Sequence, residues 1–440
     1  MSELNINDEL DNNNKIIIKI FNLIKLQDWN SLKNIIEHND IDYNIKDPSG
    51  MYLLEYLIIF NKIDIITLLF DKNIRIDILD EHKRSILYSV IKFSYIDILK
   101  LLLDKNKELI GINILEIKDN TEDIALFYAI RLSNMECIKI ILDYTRNINI
   151  RNKDGDNALH IAVKLLNTDV FKLINTKIND INQKNNNGET ILHLIIIYKC
   201  FDMLEYVLKT YKNINFNIID YIYNFTILHY ICINLDYKSL LLVKKYTKYM
   251  NGNIQDKSGN IFYHYFIKNI YKDNDPKQIE NYINMFNIFK NIDVNMNLYN
   301  IDNNTTLHLL ASNIDFFVNN KMNVMIDWII SKTHINIQNY HGETCLFLIV
   351  KSNYWKHIKD LLISKKLDIF ITTYDKETMF QYIDSKDIDT FLDIITKSYI
   401  DKLRKYDAIK WLDYWDNRCK RVNRLIYVTI LYLIRSKNIL

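Results

Sequence analysis

Five histidines, His160, His193, His229, His264 and His308, recur at intervals of 33, 36, 35 and 44 residues. Histidine is the side chain best suited to bind a metal or move a proton near neutral pH. A period near 33 places each ring at the same point of a stacked helix pair. Neighbouring rings then lie about 8–10 Å apart, whereas zinc needs ligand nitrogens at about 2.0–2.1 Å. No two of them can share an ion. The chain also lacks a glycine-rich phosphate loop, a G-x-S-x-G elbow, an H-E-x-x-H pair and the kinase motif set. Cys345 has no base placed near it by sequence. No catalytic residue, metal or cofactor is expected, and the histidines read as structural.

The elements that position them are legible in the surrounding phrase. Clean copies are Asn157-Ala158-Leu159-His160, Thr190-Ile191-Leu192-His193, Thr226-Ile227-Leu228-His229, Ile261-Phe262-Tyr263-His264 and Thr305-Thr306-Leu307-His308. Worn copies place Leu54, Leu87 and Leu126 upstream, with Leu346 and Phe380 downstream. Each phrase opens a short first helix, and an apolar second helix follows, as at residues 63–70 and 95–103. With a degenerate first pair near 16–26 and 32–37, the repeats cover residues 15–398.

The segments Asn152-Lys153-Asp154-Gly155-Asp156-Asn157-Ala158-Leu159-His160-Ile161-Ala162 and Asn185-Asn186-Asn187-Gly188-Glu189-Thr190-Ile191-Leu192-His193 resemble the ankyrin repeat. The resemblance implies an all-α solenoid of about eleven helix pairs joined by short hairpin loops, with a helical C-terminal cap. It further implies a histidine that hydrogen-bonds the backbone of the adjoining turn, and a non-enzymatic, monomeric protein-interaction scaffold. Only 7 Gly and 2 Pro occur in 440 residues, so the proline that opens the family's first helix is missing from every copy. Asparagine replaces the hairpin glycine after the second helix at Asn73 and Asn213, since it is the best non-glycine residue in the left-handed region.

Composition agrees with a folded chain, at 49% hydrophobic and 25% charged. Its richness in Ile, Asn, Lys and Tyr is similar to that of ankyrin families of poxviruses and giant amoebal viruses. Residues 1–14 read as a solvated tail without the features of a secretory signal. The cysteines at 137, 200, 232, 345 and 419 fall in separate repeats, which points to a reducing compartment, cytoplasmic (the host's if the chain is viral) or nuclear. Repeats are swollen around 265–325, where Lys272–Gln278 and Ile314–Asn323 read as neighbouring loops on a binding face.

Stacking aligns the hairpin tips near residues 48–49, 81–82, 153–154, 221–223, 257–258 and 340–341 into one strip. Solvent-facing aromatics anchor partners well because they bury much area at low entropy cost. Tyr221, Tyr223, Tyr299, Tyr340 and His341 are therefore the expected contacts for a protein partner. Residues 399–440 read as a basic, aromatic cap, with ten Lys or Arg against four acids after residue 400. The apolar run 425–434 spans about 15 Å as a helix, too short for a membrane. Two alternatives attach to this tail. One is docking to a host ubiquitin ligase, although the Leu-Pro step of the poxvirus motif is absent. The other is nucleic-acid contact through its cations with Trp411, Tyr414, Trp415 and Tyr427.

Overall fold

The computed structural model describes residues 2–108, 113–178, 180–270, 275–355, 371–377, 379–383, 387 and 390. These residues form two units, one of residues 1–215 and 220–222, the other of residues 216–219 and 223 onward. The basic cap and both alternatives placed on it lie outside the described residues. Among the described residues there are helices and isolated β-bridges, and no strands. None of these helices is long and apolar enough to cross a membrane.

In the first unit the pairs begin with Ser2–Leu26 and Trp29–His38. The first helix thus takes in the segment read as a tail, where no proline or glycine interrupts the chain. The first helices of later pairs, Leu53–Ile59, Leu87–Lys92, Ala125–Arg131, Ala158–Lys164 and Ile191–Ile197, pack one on the next. Second helices such as Met135–Tyr144, Thr168–Asn175 and Phe201–Thr210 form a parallel layer behind them. A helix of six or seven residues is too short to persist alone in water. These hold because they are covered on nearly every side. In Ile191–Ile197 six consecutive residues, Ile191 through Ile196, are buried.

The second unit repeats the arrangement with a more aromatic core. Its first helices are Ile227–Ile233, Phe262–Ile270, Thr306–Ala311 and Cys345–Lys351. Phe262, Tyr263 and Phe266 each pack edge to face on Phe289, and Trp328 stacks on Tyr263 at 5.9 Å.

Both expected loops are corrected here. Asp275 caps a helix that runs Pro276–Phe289, so Pro276, Lys277 and Gln278 form its first turn. Proline suits that position because its missing N–H has no partner to lose there. Residues 271–274 lie outside the described residues. The second stretch folds as a separate short helix, Ile314–Asn319, with Ile314, Phe316 and Phe317 buried, so its apolar side chains join the core. Among the asparagines expected in the left-handed region, Asn73 adopts it at φ 56° and Asn213 does not.

Candidate functional site

Each hairpin tip is built from a five-residue turn that starts on a short side chain able to accept hydrogen bonds. In Asn152 to Asp156, the Asn152 Oδ1 accepts the N–H groups of Asp154 and Asp156, both at 3.0 Å. The same pair of bonds recurs at Asp47, Asp80, Asp119, Asn185, Asp256, Asn300 and Asn339. Asn and Asp favour this turn because the side chain mimics a backbone acceptor. The fourth residue must take positive φ. Gly155, Gly188, Gly259 and Gly342 do so at 76°, 77°, 75° and 76°, while Lys83, Glu122, Asn303 and Lys376 fill the place elsewhere.

Glycine has a second reason at three of these positions. A Cβ on Gly155 would lie 2.6 Å from the Asn186 backbone nitrogen, and on Gly342 2.5 Å from that of Tyr374. The next tip therefore sits directly against the turn. Successive tips are also joined by backbone bonds, from Asn186 N to Asp154 O at 3.0 Å and from Tyr221 N to Asn187 O at 2.7 Å in the first unit. In the second unit Lys257 N donates to Tyr223 O, Ile301 N to Ser258 O, Tyr340 N to Asp302 O and Tyr374 N to His341 O. Where the turn begins with asparagine, the amide adds a further rung: Asn152 Nδ2 reaches Asp123 Oδ1, and Asn339 Nδ2 reaches Asn304 Oδ1.

The histidines lock this ladder to the helices. His160 Nδ1 accepts the Asn157 N–H at 3.3 Å, and the same acceptor role is filled by His193, His229, His264 and His308. His160 Nδ1 also stands 2.7 Å from the Asn157 Oδ1, but in four of the rings a backbone carbonyl oxygen faces the other nitrogen, which assigns the ring proton to Nε2. That nitrogen donates to the next tip, from His160 to Glu189 O, His229 to Asn260 O, His264 to Asn304 O and His308 to Glu343 O. In these four rings both nitrogens are thus engaged with protein groups, and neither offers a lone pair to a metal. Burial pushes the pKa of His160 and of His264 down to about 4, and that of His308 down as well.

Two worn copies divide the histidine's work, which the sequence does not announce. Glu55 stands at the equivalent position and accepts the Tyr52 N–H through Oε2 at 2.7 Å. Tyr88 donates its hydroxyl to Asp123 O at 2.9 Å, the carbonyl a histidine would otherwise reach.

All five residues expected to meet a partner are exposed. Tyr221, in the first unit, packs over Gly188 and carries the Lys184 ammonium 4.3 Å above its ring. Tyr223 stacks on Phe225 at 5.0 Å. Tyr299 closes the base of its hairpin opposite Thr305, and Tyr340 meets His341 edge to face at 5.9 Å. Two residues were missed. Ile301 and Tyr374 occupy the same tip position as Tyr340 in the adjoining tips, and the three are 70%, 66% and 67% exposed. Only their place in the turn, one residue after Asn300, Asn339 and Thr373, marks them out. The corresponding residues in the first unit are Pro48, Glu81, Asn120, Lys153, Asn186 and Tyr221, of which only Tyr221 is aromatic.

Residues 106–185 match the family model for ankyrin repeats in three copies. An ankyrin repeat protein of Acanthamoeba polyphaga mimivirus is 31% identical over 417 residues, covering 92% of this chain and 54% of the relative. The chain thus spans about half the length of that relative. The matched segment, and the recurrence of its turns and capping side chains on either side of it, make this chain an ankyrin-repeat protein.

Proposed function

We propose that the chain is a non-enzymatic scaffold that holds a protein partner on the hairpin tips of its second unit. The observation that carries this reading is the row Ile301, Tyr340 and Tyr374, three large apolar side chains exposed at one position of consecutive tips. Each stands on a backbone fixed by the rung to its neighbour and by the Asx or Thr turn beneath it. Little ordering entropy remains to be lost on docking, which is the condition under which exposed aromatics become binding anchors. Tyr299 and Tyr223 extend the row, while Tyr221 belongs to the first unit. The charges around it, Lys257, Asp302, Asp375 and Lys376, are mixed, which favours protein over phosphate backbone as the partner.

Similarity to a mimivirus protein supports a partner from the infected amoebal cell or from the virus itself, met in the cytoplasm. The test is affinity purification from that cell with the parent chain and with Ile301→Ser/Tyr340→Ser/Tyr374→Ser. Proteins recovered with the parent and lost with the variant, at unchanged thermal stability, support the reading. The same set recovered with both removes the tip row as the contact.

A further inference from the structure

The first unit carries a different apolar feature, at the opposite ends of its first helices. Each of these helices finishes in a turn whose left-handed residue is Gln27, Asn61, Ser94, Ser133, Leu166 or Lys199. The residue just before it is, in order, Leu26, Phe60, Phe93, Leu132, Leu165 and Tyr198. Phe60 is half-buried and the others are exposed. The turn itself does not demand an apolar group there. In the second unit the residues before Leu235, Lys321 and Asn353 are Asn234, Asn320 and Ser352.

These side chains form one stripe, because successive turns touch. Trp29 lies 5.1 Å from Phe60, and Tyr95 donates its hydroxyl to Ile59 O at 3.3 Å. Asn134 Nδ2 reaches Ser94 Oγ at 2.8 Å, and Asn167 Nδ2 reaches Ser133 Oγ at 3.0 Å. Beside the stripe runs a row of carboxylates, Asp64, Asp97, Glu136, Asp169 and Asp202, each in the first turn of a second helix. All are exposed, and none is engaged in an ion pair among the described residues. Their place suits the positive end of the helix dipole, but it also leaves a line of unspent negative charge along one flank. Arg131 and Lys164, near the ends of two of these first helices, are held by Asp123 and Asp156, and the Lys92 ammonium lies 5.6 Å from the centre of the Phe93 ring in the stripe itself.

The spacing selects the occupant. Packed helices place equivalent turns about 8–10 Å apart, and seven residues of an α-helix, which bring a side chain back to nearly the same face, rise about 10.5 Å. An extended strand returns to the same face about every 6.6 Å and falls out of step. The exposed area of the stripe, roughly 500 Å², is in the range of functional patches but below the about 800 Å² per partner of a standard globular interface. We propose that this stripe docks an amphipathic helix of a protein partner, laid lengthwise, with apolar residues every seven positions and Lys or Arg on the flank that faces the five carboxylates. It is a second surface, independent of the tip row.

The test uses the full chain and a fluorescein-labelled, designed helical peptide of five heptads, with leucine at every seventh residue and lysine along one flank. Fluorescence anisotropy should show saturable binding. Phe93→Asn/Leu132→Asn/Leu165→Asn, which imitates the second unit, should weaken it at least tenfold at unchanged thermal stability, as should exchanging the flank lysines for glutamate. Tyr340→Ser/Tyr374→Ser should leave it unchanged. The proposal falls if the peptide does not bind, if the triple variant binds equally, or if a control peptide with leucine every sixth residue binds as well. It also falls if sedimentation shows a dimer of the parent chain that the triple variant abolishes, since the stripe would then belong to a second copy.

Discussion

Replacing His160 by phenylalanine, the residue this chain carries at the equivalent positions 127 and 347, should separate the two things that the buried imidazole does. At pH 7 the variant loses the acceptor for the Asn157 N–H and the donor to Glu189 O. Leaving such groups unpaired costs about 1–3 kcal/mol. The pH dependence should change in the opposite sense. Burial holds the native ring at a pKa of about 4 against 6.5 in the unfolded chain. A depressed native pKa means that the unfolded state takes up the proton first as pH falls. The contribution of His160 is therefore intact above pH 6.5 and is lost as pH drops from 6.5 towards 4. At about 1.4 kcal/mol per pKa unit, that loss reaches about 2 kcal/mol by pH 5. Urea unfolding followed by circular dichroism at pH 7, 6 and 5 should show the parent and variant curves converging by that amount. Taking the difference cancels other groups, including Glu55, whose burial raises its pKa and acts in the opposite sense. Asp47, held down at about 2 by its bonds from Ser49 and Tyr56, titrates below the window. Parallel curves for parent and variant would refute the assignment of a buried, neutral His160.

Other perturbations follow from the same geometry. Leu166 sits in the left-handed region at φ 56° with its side chain 58% exposed. Leu166→Asn should therefore raise stability by about 1 kcal/mol, and a lowered melting temperature would show that the leucine packs usefully after all. Gly155→Ala drives a Cβ into the Asn186 backbone, whereas Gly50→Ala, at φ 90°, meets nothing within 4 Å. The first should cost at least about 2 kcal/mol more than the second, and equal urea midpoints would argue against a tight tip ladder. The Tyr263 hydroxyl is buried with no hydrogen-bond partner among the described residues. Tyr263→Phe should be neutral or stabilising by about 1 kcal/mol, and a loss beyond that would reveal a partner for the hydroxyl.

The repeat period and the helix pairs were legible in the sequence, while the histidines' bond to the adjoining turn was only implied by the ankyrin resemblance. The period and the pairs are local patterns: Leu-His steps near 33 residues apart and apolar runs of helical spacing. Hairpin-tip tyrosines could be placed by register from the same phrase. What the linear order concealed was substitution of function without likeness of residue. Glu55 and Tyr88 do not look like histidine, yet each makes one of its two bonds, because only the stacked neighbour defines which carbonyl or N–H stands in reach. The swollen repeats misled for a related reason. Extra residues read as loops, but Pro276 opens a helix and Phe317 finds a buried slot, and both outcomes depend on space left by the flanking pairs. Exposure was likewise decided only in three dimensions. Ile301 and Tyr374 are ordinary residues in the sequence, as are Leu26, Phe93 and Leu132. They become surfaces because stacking fixes one position of every repeat at a tip or a turn, where no neighbour arrives to cover it.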